Sequence, residues 1–155
     1  MINLLKKKFS KEKVLIIKSD AGNSFPIQSN SYSVVIAIRL LKYIPTWKNT
    51  IKEVKRVLNK NGYFIFSISN IYSLAYFKGN AHYFLFKPKE VIDYIERIGM
   101  KVIKISPTSR LPFPLYIRIH NKFMLKILVY IEQILNIIFP YWLFSRSILI
   151  FAQVK

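Results

Sequence analysis

Residues 32–38, Tyr-Ser-Val-Val-Ile-Ala-Ile, and residues 63–68, Tyr-Phe-Ile-Phe-Ser-Ile, are two apolar runs that decide the fold. Both are rich in β-branched and aromatic residues, which is typical of buried strands. The segment between them carries apolar side chains at helical spacing, namely Ile51, Val54, Val57 and Leu58. The sequence therefore predicts a strand–helix–strand unit whose helix begins at an N-cap, Thr46, and ends at Asn61 and Gly62.

Further elements are predicted on both sides of this unit. Residues 13–18 read as a strand buried on both faces, and residues 101–106 and 147–154 as two more strands. Helices are predicted over residues 87–98, with Pro88 in the first turn, and over residues 115–139. Alternating strands and helices indicate an α/β domain with a mainly parallel sheet and helices on both faces, in which ligands bind at the carboxyl ends of the strands.

The composition excludes several classes of chemistry. The 155 residues contain no cysteine, which rules out disulfides, thiolate metal sites and a thiol nucleophile. With His82 and His120 as its two histidines, the sequence predicts no metal site. Lysine and arginine number 25 against 7 acidic residues, giving a net charge of +18 that favours anionic surfaces. The lysines are dispersed and no nucleic-acid module is present, so no specific nucleic acid is expected.

The chain is divided into a short basic segment, residues 1–12, and one domain, residues 13–155. The first residues contain no apolar stretch long enough for a secretory signal, so a cytoplasmic location is expected, which peripheral membrane contact would fit. Residues 127–144 approach the length of a membrane span but include Glu132 and Pro140, which makes them a weak candidate.

Several blocks of sequence, taken in order, resemble one family. Residues 17–37 contain Ser-Asp-Ala, Phe-Pro and Tyr-Ser-Val-Val, where the family has Asp-Ala, Leu-Pro-Phe and Ser-Phe-Asp-Val-Val. Residues 41–45, Leu-Lys-Tyr-Ile-Pro, resemble its Leu-Glu-His-Ile-Pro, and residues 53–62 its Glu-x-x-Arg-Val-Leu-Lys-Pro-Gly-Gly. Residues 99–102, Gly-Met-Lys-Val, resemble its Gly-Phe-x-Val. From about residue 13 to 105, the chain is similar to class I S-adenosylmethionine-dependent methyltransferases of the small-molecule type.

This resemblance implies a partial Rossmann-like sheet with an antiparallel last strand, and S-adenosylmethionine as cofactor. It implies that Asp20 accepts a hydrogen bond from the adenine amino group and that Ala21 offers a backbone N–H. The backbone of Ala37 and Ile38 would lie along the methionine part. Alternative interpretations remain open, because Asp20 could merely form a turn and Ala37 and Ile38 could be ordinary core residues.

The resemblance also suggests two substrate positions. Tyr43 replaces a histidine of the family and could line the substrate entrance, and His82 lies where the family has substrate loops. Packing roles are the alternative for both. Arg56 is expected to anchor its helix, and no residue is identified as catalytic.

The departures from the family pattern concern the cofactor loop. Family members have a Gly-x-Gly-x-Gly loop between an upstream strand and helix, whereas the first glycine of this sequence is Gly22. We therefore expect an amino-terminally truncated, methyltransferase-like domain with weak or no cofactor binding on its own, whose activity is left open. One edge of the strand at residues 34–38 should be unpaired, so that a second chain could pair there or supply the remaining half.

An alternative function rests on residues 111–144, a hydrophobic and basic helical insertion before the last strand. Arg118, Lys122, Lys126 and Gln133 follow a narrow polar line on an otherwise apolar helix. Such a helix could bind an acidic membrane surface without any catalytic role, or it could simply cover the sheet.

Overall fold

The computed structural model describes residues 15–73, 83–108, 110–111, 118–119, 121–141 and 143–155. Within these ranges the chain forms four strands and three α-helices. In chain order they are β1 (Tyr32–Ala37), α1 (Trp47–Val57), β2 (Leu58–Ser69), α2 (Pro88–Arg97), β3 (Met100–Pro107), α3 (Lys122–Ile138) and β4 (Ser147–Val154). A 3-10 turn at Leu41–Tyr43 connects β1 to α1.

The strands form one sheet in the order β1-β2-β4-β3. β1 is parallel to β2, whereas β4 is antiparallel to both β2 and β3, so that β1, β2 and β3 share one direction. The predicted α/β fold, with a mainly parallel sheet and an antiparallel last strand, is confirmed. Placing the last strand between β2 and β3 brings residues far apart in sequence into one ladder.

One face of the sheet carries the hydrophobic core. Alternate residues of each strand point to this face, and they pack with Ile51 and Val54 of α1 and Val91 and Ile95 of α2. The two helices also contact each other, because the rings of Trp47 and Tyr94 meet edge to face with centroids 5.4 Å apart. α1 and α2 therefore lie side by side on the same face.

The opposite face of β1 is largely exposed. Val34 and Ile36 alternate with the core residues Val35 and Ala37, and Ile36 is 64% exposed. Tyr63 of β2, which is paired with Val34, is also exposed. The fold class predicts helices on both faces of the sheet. No helix in the described ranges covers the exposed apolar side chains of Val34, Ile36 and Tyr63. In the described ranges β1 pairs with β2 alone, as expected for an open edge.

The predicted limits of α1 are wrong at its carboxyl end. The helix ends at Val57, and β2 begins at the next residue, because Leu58 already pairs with Tyr32. Asn61 has a φ of +63° and lies with Gly62 in an irregularity of this ladder, where Val34 pairs with Tyr63. The residue pair favours a left-handed conformation as expected, but it forms a bulge within a strand rather than a helix end.

The strand predicted at residues 13–18 is also not formed in its described part. Residues 15–20 have no regular secondary structure, and Leu15 is 77% exposed. An apolar run becomes a buried strand only when other strands pair with it on the sheet, and residues 15–18 belong to no ladder. Residues 13 and 14 lie outside the described residues.

Helix α3 was predicted over residues 115–139 and is seen from Lys122, after the N-cap Asn121, whose side chain accepts a hydrogen bond from the backbone N–H of Phe123 at 2.8 Å. Residues 115–117 and 120 lie outside the described residues. None of its side chains is buried. Among the helices in the described ranges, none has the length and apolar character needed to cross a bilayer.

Candidate functional site

The carboxyl ends of the parallel strands β1 and β2 meet at one edge of the sheet. Ala37 ends β1, and the backbone N–H of Arg39 donates a 2.7 Å hydrogen bond to Oγ of Ser67 near the end of β2. Arg39 has a φ of +58°, an uncommon conformation for a residue with a side chain. The chain therefore turns sharply at the edge where ligands bind in sheets of this kind.

Asp20 lies in a turn whose polar groups bond to each other. The backbone N–H of Gly22 donates to one carboxylate oxygen at 2.9 Å, and the side-chain amide of Asn23 donates to the other at 3.0 Å. Asp20 therefore acts as a turn former, the alternative interpretation of its sequence position. It is exposed, and since each carboxylate oxygen has two lone pairs, further donors can still bind.

Two hydroxyl groups at the start of α1 hold this turn in place. Oγ1 of Thr50 donates to the carbonyl of Ala21 at 2.8 Å, and Oγ1 of Thr46 donates to the carbonyl of Gly22 at 3.1 Å. A Cβ at Gly22 would come within 2.9 Å of the Thr46 hydroxyl, so a glycine permits this close approach. Thr46 occupies the N-cap position, but its side chain caps no helical N–H. Asp20 and Ala21 are thereby fixed beside the start of α1.

The next two predicted cofactor residues follow at the end of β1. The side chain of Ala37 is part of the core, as its alternative interpretation had it, while Ile38 is half exposed. Both the turn at Asp20 and the end of β1 adjoin the segment that leads into α1. A Cβ at Gly22 would lie 3.4 Å from the side chain of Ile44, and the 3-10 turn at Leu41–Tyr43 follows β1 directly. The structure thus places these residues around one connection, on the same edge of the sheet.

An aromatic and basic cluster lies on the same connection. Nζ of Lys42 is 4.7 Å from the ring centroid of Tyr43 and 5.1 Å from that of Tyr83. The backbone N–H of Phe84 donates to the carbonyl of Lys42 at 2.7 Å and so holds the second ring nearby. Tyr43 is exposed, which leaves its predicted position at a substrate entrance open. Sequence reasoning missed Lys42 and Tyr83, since only the fold brings residues 42 and 83 together.

Arg56 anchors its helix to the irregular segment before β1, as expected. Its guanidinium donates to the carbonyls of Phe25 and Ile27 and pairs with Glu53 at 2.8 Å. Glu53 also accepts the backbone N–H of Phe25 at 2.9 Å. The hydrogen bonds from Arg56 and Phe25 hold the pKa of the Glu53 carboxyl below its usual value. Both charged groups are therefore engaged in structural contacts.

Two grooves adjoin these elements. A polar groove of about 300 Å³ lies beside the Asp20 turn and is lined by Gly22, Asn23, Ser24, Asn49, Lys52 and Glu53. A larger cleft of about 740 Å³ lies between α2 and the segment before β4, with Tyr72 and Tyr141 on its walls. Burial raises the pKa of Tyr141, and the nearby Asp93 adds to this effect. None of the described candidate residues lines the larger cleft.

One further side chain at this end of the sheet, that of Asn70, is not among the predicted residues. Asn70, fully buried after β2, donates through its amide to the carbonyl of Ser145 at 2.9 Å and accepts the N–H of Tyr72 at 3.1 Å. Its position after an apolar run was the signal that could have identified it. His82 lies outside the described residues. Among those described, no three histidine or acidic side chains come close enough to form a metal site.

Comparison with known proteins connects this architecture to one family. Residues 1–66 match a family model described as a methyltransferase domain. No curated protein matches the sequence. The matched range contains the first blocks of the predicted resemblance and extends to the middle of β2.

Solved structures match over nearly the whole chain. A SAM-dependent methyltransferase from Thermotoga maritima has 16% identity and a TM-score of 0.62, over 98% of this chain and 70% of its own. A protein from Listeria monocytogenes described as an S-adenosylmethionine-dependent methyltransferase has 16% identity and a TM-score of 0.67, over 100% and 75%. The [4+2]-cyclase SpnF has 13% identity and a TM-score of 0.67, over 99% and 60%.

These matches confirm the resemblance to class I S-adenosylmethionine-dependent methyltransferases and the Rossmann-like fold. This chain spans only 60–75% of the length of the three solved proteins. At such low identity the likeness concerns the fold, and the cyclase among them illustrates that one fold serves different chemistry.

Proposed function

We propose that this chain provides one half of a methyltransferase-type cofactor site and that it binds S-adenosylmethionine weakly or not at all by itself. The single observation that carries the proposal is the turn of Asp20 and Ala21, held by Thr50 beside the connection that follows β1. This position supports the proposal, because Asp20 would accept from an amino group at the edge where parallel strands bind ligands.

The residues present fit part of this cofactor. Asp20 keeps acceptor capacity beyond its two local hydrogen bonds, which suits an amino group, since a carboxylate only accepts. The polar groove beside the turn, with Asn23 and Lys52 on its walls, offers room for a flat polar group. At the end of β1, the half-exposed Ile38 would lie along an extended group, whereas Ala37 is buried.

The rest of the cofactor has no receptor in the described residues. A Gly-rich loop needs glycines at close spacing, whereas the four glycines of the sequence, Gly22, Gly62, Gly79 and Gly99, are far apart. Such a loop and the helix start after it would present N–H groups to the carboxylate of the methionine part. Their absence from the described residues supports weak binding.

We further propose that a Gly-rich strand–loop–helix segment, on a second polypeptide, completes the site at β1. The open edge of β1 and the exposed apolar face at Val34 and Ile36 support this proposal, because such surfaces favour strand addition and packing. A parallel strand added there would extend the sheet beyond β1. Transfer of a methyl group would then rest mainly on positioning of the two reactants.

Calorimetric titration with S-adenosylhomocysteine tests cofactor binding directly. The proposal predicts a dissociation constant in the millimolar range or no measurable heat for the chain alone. A micromolar dissociation constant would show that this chain contains a complete site.

A pair of variants separates the role of Asp20 in binding from its role in the turn. Asp20→Asn keeps a side-chain oxygen for the Gly22 N–H but removes the charge, whereas Asp20→Ala removes the turn contacts as well. We expect both variants to weaken any residual cofactor binding, and only Asp20→Ala to lower the melting temperature. Unchanged binding in both variants would remove Asp20 from the site.

A further inference from the structure

Helix α3 exposes most of its apolar side chains on one side. A body-facing stripe is half-buried and consists of Leu125, Leu128, Glu132, Leu135 and Phe139. On the other side, an exposed apolar stripe consists of Phe123, Ile127, Tyr130, Ile134 and Ile137. Spacings of three and four residues put each set on its own side of the helix. Ile137 is 84% exposed, so this stripe contributes almost nothing to the core.

The carboxyl-terminal half of α3 is nevertheless held firmly to the domain. Arg110 is buried, and its guanidinium donates to the side chain of Asn136 at 2.7 Å and to the carbonyls of Phe139, Pro140 and Leu143. The backbone N–H groups of Arg110 and Leu111 donate to one carboxylate oxygen of Glu132 at 2.9 and 3.1 Å. Polar contacts thus fix the helix with its apolar stripe outward.

The charges of α3 suit an anionic partner. Lys122 and Lys126 are exposed on a polar stripe that also includes Gln133 and Asn136 and borders the apolar one. Glu132, the sole acidic residue of the helix, is engaged with Arg110 and Leu111. The whole chain carries +18 charges, which opposes close contact between two copies and attracts acidic surfaces.

From this arrangement we propose that α3 lies in the plane of an acidic membrane surface, with the Phe123–Ile137 stripe inserted among the lipid headgroups and the two lysines at the phosphates. A helix too short and too polar to cross a bilayer, yet apolar along one side and basic beside it, has the character of an interfacial helix. This inference is independent of cofactor binding.

Co-sedimentation with vesicles tests the proposal. Vesicles of phosphatidylcholine with 30% phosphatidylglycerol should retain the protein, and pure phosphatidylcholine vesicles should retain much less, with binding reduced by added salt. Ile137→Glu should lower the partition coefficient about tenfold or more, since burial of one isoleucine side chain contributes on that order. Because Ile137 is so exposed, this variant should fold as the wild type does, which circular dichroism checks.

Ile103→Glu provides the matched control. Ile103 is 50% exposed on β3, and its replacement changes the net charge by the same single unit. The proposal requires that Ile137→Glu loses vesicle binding while Ile103→Glu keeps it. Equal loss in both variants would mean that the net charge alone binds the lipid, and no sedimentation of the wild type would also overturn the proposal.

A fluorescent label reports insertion at one position. Because the chain contains no cysteine, Ile137→Cys and Ile103→Cys each give a single site for an environment-sensitive dye. On acidic vesicles the dye at position 137 should shift to shorter wavelength, and the dye at position 103 should not. A shift without vesicles that grows with protein concentration would instead identify a second copy of the chain as the occupant and would contradict the proposal.

Discussion

Helices α1 and α3 both carry apolar side chains at helical spacing, but only α1 buries them. In α1, Ile51 and Val54 are buried against the sheet, whereas α3 buries none of its side chains. The difference lies in what each helix faces, because α1 connects two paired strands and must pack on them, while α3 lies between β3 and β4 and is held by polar contacts. An apolar stripe therefore indicates burial only where a sheet face is available.

The largest expected effect is the difference in stability between removing a buried side chain of α1 and removing an exposed side chain of α3. Ile51→Ala should lower the free energy of unfolding by about 2–5 kcal/mol, because it leaves a cavity in the core. Ile137→Ala should change it by less than about 0.5 kcal/mol, because the side chain is already in solvent. Urea denaturation of both variants measures the contrast. Similar losses would mean that α3 is packed as α1 is.

Next in size is the effect of removing the anchor of α3. Arg110→Met leaves the carbonyls of Phe139, Pro140 and Leu143 without this donor, at a cost of up to about 1–3 kcal/mol for each carbonyl that water cannot reach. Hydrogen exchange should then show faster exchange in α3 and little change in β2. Arg97→Met, at the exposed end of α2, is the control and should leave both unchanged. Protection of α3 that survives the loss of Arg110 would contradict its anchoring role.

A smaller effect is expected at the Asp20 turn. Thr50→Val keeps the shape of a buried side chain but removes the donor to the carbonyl of Ala21, at a cost of about 1–2 kcal/mol. Thr46→Val removes the bond to Gly22 at an exposed position and should cost less. Thermal denaturation of the two variants measures the order. A larger loss for Thr46→Val would place the main support of the turn elsewhere.

The smallest expected effect is the pH dependence of the stability that the ion pair of Glu53 contributes. Its pKa is lowered in the folded state, so its ion pair stabilises the fold above the unfolded pKa of about 4.3, and this contribution is lost as pH falls through the folded value. The melting temperature of the wild type should therefore fall more between pH 5 and pH 3 than that of Glu53→Gln. Glu96→Gln, on the exposed side of α2, should behave as the wild type does.

Regular alternation made most of the sheet predictable. Residues 147–154 form β4 over the predicted range, because every second residue from Ile148 onward is buried. Helix α2 runs from Pro88 to Arg97, close to its predicted limits, because the proline fixes its first turn and Gly99, with a φ of +86°, follows its end. Local signals suffice where a residue's own conformational preference sets the boundary.

Long-range pairing could not be predicted in the same way. The pair Asn61 and Gly62 has the same local preference in a helix end as in a bulge, and only the ladder between Leu58 and Tyr32 decides between them. Residues 15–18 have the composition of a buried strand and lack a partner. Arg110 bonds to several groups between residues 132 and 143 at the end of α3. Nothing in the sequence around Arg110 distinguishes it from the other arginines.

The candidate site was predictable in part. Asp20 could be placed beside a turn, but its bonds to Gly22 and Asn23 and the support from Thr50 depend on the packing of that turn against α1. The contact between Lys42 and Tyr83 depends on a backbone bond across 42 residues, from Phe84 to Lys42. The residue type of Asp20 thus indicates which ligand groups it could accept from. Only the fold shows which of its acceptor positions are already used within the turn.

One measurement tests most directly whether this edge of the sheet is half of a cofactor site. Amide NMR spectra of the chain are recorded during titration with S-adenosylhomocysteine at millimolar concentrations. The account predicts that any shifts are confined to Asp20, Ala21, Ala37, Ile38 and their neighbours. Shifts that leave these residues unchanged and appear instead around Tyr72 and Tyr141 would contradict it.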